Sequence, residues 1–92
     1  MKDKLHINIV VTGKVQGVFF RASAMEQALD LGITGFVRNQ NDGSVYLEAE
    51  GDPDKLDELV AWCKKGSQFS RVDQVEVNHS AVEEFSEFTI KR

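Results

Sequence analysis

Residues 13–21 read "GKVQGVFFR", a loop with two glycines, no acid, no histidine and no cysteine that ends on an arginine. It joins two unlike patterns. On its N-terminal side Ile7, Ile9 and Val11 alternate with His6, Asn8 and Thr12, the period of a strand with one face buried, which places a strand over His6–Lys14. On its C-terminal side Ala22, Met25, Ala28 and Leu29 recur at helical spacing among Glu26, Gln27 and Asp30, which predicts a helix from Arg21 to Leu31 that Gly32 stops. A strand, a glycine loop and a helix in that order can be a plain turn or a cradle for an anion.

The same reading extends outward. "ITGFVRN" (residues 33–39) is a strand, and Asp42-Gly43 sits between two strand-like runs as a hairpin signal, with Val45, Leu47 and Ala49 on the inward face of the second. "DPDKLDELVAWCKKG" (residues 52–66) opens on Asp52 as a cap with Pro53 in the first turn, carries Leu56, Leu59, Val60 and Cys63 on one stripe, and closes on two lysines and a glycine. "RVDQVEVNH" alternates through Val75 and Val77, and "FSEFTIKR" supplies a last short strand through Phe88 and Ile90. The order is β-α-β-β-α-β with a short fifth strand. Each helix has a single apolar stripe, so both pack on one face of a mainly antiparallel sheet, an α+β, ferredoxin-like α/β sandwich.

Composition narrows the function. Ninety-two residues with 41% hydrophobic content and one proline are read as a single domain over residues 1–92. A net charge of -4 counts against general nucleic-acid binding, where phosphate neutralisation dominates. An RNA-binding module of this topology would also need aromatic platforms on its central strands, and Tyr46 is the only aromatic on its strand. One cysteine allows neither an internal disulfide nor a CxxC pair, which fits a reducing cytoplasm, and "MKDKLHINIV" is too charged and too short in its apolar run for a signal peptide or a membrane span.

The loop acquires a chemical meaning from chain geometry. A helix over Arg21–Leu31 rises about 16 Å, and a strand over residues 33–39 runs roughly 23 Å back, so Asn39 returns to the end of the domain that holds Arg21. Backbone N–H groups near Gly17, at a helix start, make a positive concavity for phosphate oxygens. Arg21 adds a permanently charged, bidentate clamp. Neither Arg21 nor Asn39 is a general base at neutral pH or a competent nucleophile. The attacker is then water, and the leaving group must depart without a proton. A carboxylate leaving from phosphorus does so, because its conjugate acid has a pKa near ~4. The substrate expected on this chemistry is an acyl phosphate, and no cofactor or metal is required.

At these residues the sequence resembles the acylphosphatase family. "VTGKVQGVFFR" (residues 11–21) meets the family's first signature, and "GFVRNQNDGSVYLEAEG" (residues 35–51) meets the second, in the right order and at the right separation. The resemblance extends over nearly the whole chain, through "RVDQVEV" to "FTIKR". It implies phosphate binding by Arg21 and by the backbone of Val15, Gln16, Gly17, Val18, Phe19 and Phe20, with Asn39 positioning the catalytic water. It also implies inorganic phosphate as product and competitive inhibitor, no nucleic-acid or membrane partner, a monomer and a cytoplasmic location. The loop "GSQFSRV" (residues 66–72) departs from the family pattern by lacking its usual proline.

The remaining polar residues have simpler readings. Lys14 and Arg38 flank the site as solvated charges, Phe20 packs into the core, and Phe19 faces otherwise, toward the pocket. His6 and His79 lack a carboxylate or cysteine partner at ligand spacing and are read as strand-surface or rim residues. Cys63 is a small core residue. Asp52, Asp54, Asp57 and Glu58 are capping and solvated acids rather than a metal set. The competing function is a non-catalytic anion or carbamoyl-phosphate-type binding module of the same fold; the presence of both Arg21 and Asn39 favours the enzyme.

Overall fold

Alternation in the first strand decides where everything else goes. In the computed structural model, which describes residues 3–92, β1 spans Leu5–Lys14 and buries Ile7, Ile9 and Val11 on one face. The chain continues through α1 (Phe20–Asp30), β2 (Thr34–Asn39), β3 (Val45–Gly51), α2 (Pro53–Lys65), β4 (Arg71–Ser80) and β5 (Phe88–Lys91). Met1 and Lys2, the start of the N-terminal stretch read above, lie outside the described residues. The strands form one five-stranded sheet in the order β4-β1-β3-β2-β5, antiparallel except for the β2–β5 pair. α1 packs over β2 and β5 and α2 over β4 and β1. The ferredoxin-like sandwich expected from the element order is the fold observed.

Register explains the core. Ile7, Ile9 and Val11 stand opposite Ala49, Leu47 and Val45, which in turn stand opposite Gly35, Val37 and Asn39. Successive side chains alternate between faces, so these three rows share the helix-facing side, and all but Asn39 are apolar or glycine. α2 closes over them with Leu56, Leu59 and Cys63, the stripe read from its sequence. Its N-terminus is capped by the Asp52 carboxylate, which accepts from the Asp54 N–H at 3.0 Å. Burial in this apolar layer pushes the Cys63 thiol up to about 12.

Two sequence readings are corrected here. In α1 the buried positions are Phe20, Ala24 and Ala28, whereas Ala22 and Leu29 are exposed. An i, i+4, i+8 row of one ring and two methyl groups lets the helix approach the sheet closely, and Phe20 spends its bulk against Trp62 of α2, ring centroids 5.1 Å apart. Because α1 is only weakly amphipathic, the spacing of its apolar residues does not fix the face it buries.

The second correction concerns His6, which is buried rather than at a rim. It lies on the sheet face away from the helices, where β1 brings it opposite Glu50 of β3. Its Nδ1 is 2.8 Å from Glu50 Oε2 and its Nε2 is 2.9 Å from Glu48 Oε1. Glu50 also accepts from the backbone N–H groups of Phe85 (2.9 Å) and Glu83, fixing the segment between β4 and β5 across the sheet. Desolvation works to raise the Glu50 pKa, but the two backbone donors and His6 outweigh it and hold the carboxyl below its usual range. Desolvation likewise works against the imidazolium, and the hydrogen bond to Glu50 with the charge of Glu48 overcomes it and raises His6. His79 is exposed, as expected.

Candidate active site

β1 and β4 come together closely just before the loop. Their register shifts between Thr12 and Gly13, and a Cβ at Gly13 would sit 2.1 Å from the Arg71 carbonyl oxygen, so only glycine fits. Gly17 has φ +73° with open space around it; there the demand is conformational alone. Phe19 follows in the left-handed region (φ 62°, ψ 22°), at a cost of roughly 1–3 kcal/mol for a residue with a Cβ. These turns leave the backbone open. Among the described residues, the N–H groups of Gln16, Gly17, Val18 and Phe19 donate to no backbone carbonyl.

The start of α1 adds to that set. Phe19 occupies the N-cap without a side-chain cap bond, and no acid stands in the first turn. The first N–H groups of a helix have no intrahelical partner and carry its positive end. A cation placed there is disfavoured by the dipole, yet Arg21 is the second residue of α1. It forms no ion pair among the described residues, so its charge is uncommitted. One cavity of about 330 Å³ is lined by the loop (Val15, Gly17, Phe19), by the start of α1 (Phe20, Arg21, Ala22), by Asn39, and by Ile90 and Arg92. Arg21 and Asn39 thus meet in one concavity.

Asn39 reaches it because of its register. It lies in the row of Val11 and Val45 on the helix-facing side, at the end of β2. Its buried Oδ1 has no hydrogen-bond partner among the described residues, a state that costs about 1–3 kcal/mol when nothing fills it. The following turn is held rigidly. Gln40 N–H donates to the Ser44 carbonyl at 2.9 Å, and the Asp42 carboxylate accepts from both the N–H and the hydroxyl of Ser44 (2.9 and 2.6 Å), which lowers the Asp42 pKa.

Gln16 was read only as a backbone member of the loop, and its side chain does more. Its Nε2 donates to the carbonyls of Gln40 (2.7 Å) and Ser44 (2.9 Å), locking the loop to the turn that carries Asn39. Nothing local in the sequence signals a contact between residues 24 positions apart. From the other side, the Ser67 hydroxyl donates to the Val18 carbonyl at 2.9 Å, so the segment that departs from the family pattern braces the loop directly. Phe19 lines the cavity and is 75% exposed, while Phe20 is buried. Arg38 is exposed on the opposite face of β2, its guanidinium 4.9 Å from the centre of the Tyr46 ring; Lys14 is exposed. Ile90 and Arg92 line the cavity without having been singled out, because only the parallel β2–β5 pairing brings the C-terminal strand there. A larger cleft of about 550 Å³ lies beside Trp62, with Glu26 and Lys65 on its walls. Its walls carry charges of both signs, which suits an anion less well.

Comparison with known proteins places the chain in a family. The acylphosphatase family model matches residues 7–90. The acylphosphatase of Methylococcus capsulatus is 48% identical over 87 residues, covering 94% of this chain and 95% of that protein. That of Pelotomaculum thermopropionicum is 45% identical over 89 residues, covering 96% and 97%. Among solved structures, an acylphosphatase from Coxiella burnetii superposes with a TM-score of 0.94 at 37% identity, covering 97% of this chain and 94% of that one. The chain belongs to the acylphosphatase family, whose function is the hydrolysis of acyl phosphates.

Proposed function

We propose that this chain hydrolyses the carboxyl–phosphate bond of small acyl phosphates at the cavity between the glycine loop and Asn39. The observation that supports this most directly is the convergence there of a guanidinium, loop backbone N–H groups and a buried amide oxygen that have no partner among the described residues. The phosphoryl oxygens sit in the cradle of Val15, Gln16, Gly17, Val18, Phe19 and Phe20 and are clamped by Arg21. A water held by Asn39 Oδ1 attacks phosphorus in line with the departing carboxylate oxygen. The new P–O bond forms as the P–O(acyl) bond breaks, the electron pair leaves with the carboxylate, and the water's proton passes to a phosphoryl oxygen of the substrate. The site needs no acid or base of its own, since the leaving group has a conjugate acid near pKa ~4. Positioning and charge stabilisation supply the acceleration.

None of the residues lining the cavity is a histidine, cysteine, aspartate or glutamate, so the donor set suits an anion and not a metal ion. Inorganic phosphate, the product, fits the same cradle and acts as a competitive inhibitor. The protein works as a monomer in the cytoplasm, a reading in keeping with a single reduced, buried Cys63 and with the lack of any described helix long and apolar enough to cross a membrane. Release of phosphate from benzoyl phosphate in excess EDTA tests the mechanism. Turnover should persist, and glycerol phosphate, whose alkoxide needs a proton donor, should be hydrolysed at least a hundredfold more slowly. Activity abolished by chelation and restored by a divalent ion would overturn it.

A further inference from the structure

The sheet face away from the helices carries a polar cluster for which phosphate chemistry has no use. Its centre is His6, whose side chain is fully buried. Glu50, with a buried carboxylate that accepts from two backbone N–H groups, holds Nδ1 at 2.8 Å. A carboxylate so held can only accept, so Nδ1 carries a proton, and Nε2 is the nitrogen that faces the remaining carboxylates. Nε2 faces Glu48 Oε1 at 2.9 Å and Glu83 Oε2 at 3.9 Å. The three ligand atoms all lie within 4.8 Å of one another.

We infer that His6, Glu48 and Glu83 form a binding site for one divalent transition-metal ion, of the chemistry of Zn²⁺, that ties the segment between β4 and β5 to the sheet. Ligand atoms 2.0–2.2 Å from a tetrahedral ion stand roughly 3.4 Å apart, a spacing that the 2.9 and 3.9 Å separations bracket. A metal-bound imidazole whose other nitrogen donates to a carboxylate is the usual outer-shell arrangement, and Glu50 provides it. Charge points the same way. Three carboxylates surround one imidazole, and among the described residues Glu83 has no other cationic partner, since Lys4 pairs with Glu84 instead (3.7 Å). A divalent ion in place of the Nε2 proton balances Glu48 and Glu83. A separate observation concerns Asn8, which stands opposite Glu48 in register and keeps a buried Oδ1 without a partner among the described residues. That is an unmet acceptor on the same face of the sheet, two residues along β1 from His6. Glu83 is 57% exposed and leaves an entry path.

This site is remote from the cavity. From the row of Asn39 to the row of His6 the strands run five residues, about 17 Å, and the two rows face opposite sides. The ion is therefore structural, and hydrolysis does not depend on it. Isothermal titration of the metal-stripped protein with ZnCl₂ should show one equivalent bound and a higher melting temperature in its presence. Glu83→Gln, on an exposed position that the fold does not need, should weaken binding at least tenfold. His79→Ala should change it less than twofold, because His79 is the other histidine and lies outside the cluster. Co²⁺ should give visible d–d bands that disappear in Glu83→Gln. Absence of saturable binding, equal affinity in Glu83→Gln and the unaltered chain, or loss of binding in His79→Ala would overturn the inference.

Discussion

Two polar regions sit at opposite ends of the same strands, and they are built on opposite terms. Around Arg21 and Asn39 the chain, among its described residues, leaves groups open: loop N–H groups without backbone acceptors, a guanidinium without a counter-ion, an amide oxygen without a donor. Around His6 and Glu50 it fills them, with both ring nitrogens engaged and the buried carboxylate taking three donors. Unsatisfied buried groups cost stability and satisfied ones fix a conformation. The first region is thus stability given up for binding, and the second is a clasp that holds the sheet and the segment after β4 in place. Mutations should separate them: changes at the first end act on turnover with little loss of stability, and changes at the second act on stability with little effect on the chemistry.

The largest effect is expected at the cavity. Arg21→Ala should slow hydrolysis of benzoyl phosphate by a factor on the order of 10³ and weaken inorganic phosphate as an inhibitor, and Arg21→Lys should not restore the bidentate geometry. Asn39→Ala should cut turnover by about 10² or more while leaving phosphate affinity nearly unchanged, because in the proposed mechanism it holds water and not the phosphoryl group. Calorimetry with phosphate on both variants, alongside circular dichroism, checks the contrast. Equal loss of phosphate binding would make Asn39 a second ligand of the cradle. Urea midpoints close to that of the parent chain are expected for both.

The next effect belongs to the clasp. Glu50→Ala should lower unfolding free energy by about 3–5 kcal/mol, since it strands a buried imidazole and two backbone donors. The folded fraction should keep its KM for benzoyl phosphate. A raised KM with unchanged urea stability would show that the two regions are coupled and not separate.

The smallest effect is a titration. Tyr46 is the only tyrosine, and its hydroxyl donates to Glu48 Oε2 at 2.7 Å. Burial, followed by that hydrogen bond and the Glu48 charge, pushes it up to about 12. Raised above the unfolded value near ~10, this group favours the folded state fully below pH ~10, and that contribution fades as pH climbs toward about 12. Absorbance at 295 nm should show a native midpoint well above that of free tyrosine, and Glu48→Gln should bring it down. A midpoint near 10 in the folded protein would remove Tyr46 from the cluster.

How much of this was legible before folding depends on the range of each interaction. The glycine loop, the Asp52 cap and the α2 stripe are written within a few residues of one another, because turns, caps and helical faces are set by local backbone geometry. Arg21 and Asn39 could be brought together on paper, since one helix and one strand of known rise separate them. The apolar spacing of α1 pointed to Leu29 where the helix buries Ala24, because a weakly amphipathic helix takes its orientation from the surface it meets.

By itself, then, the sequence determined the order of elements, the glycine-bearing turn between β1 and α1, and which two polar residues the chain brings back to it. Tertiary structure alone decided the contacts made across strands. Gln16 finds the turn after Asn39, β5 brings Ile90 and Arg92 to the cavity, and His6 meets carboxylates 42 and 44 positions away. The physical reason is that sheet register is collective. A shift of one residue would exchange the two faces of every strand, so no single stretch specifies which side chains meet, and that is settled only when the apolar rows of β1, β2 and β3 are buried together under the helices.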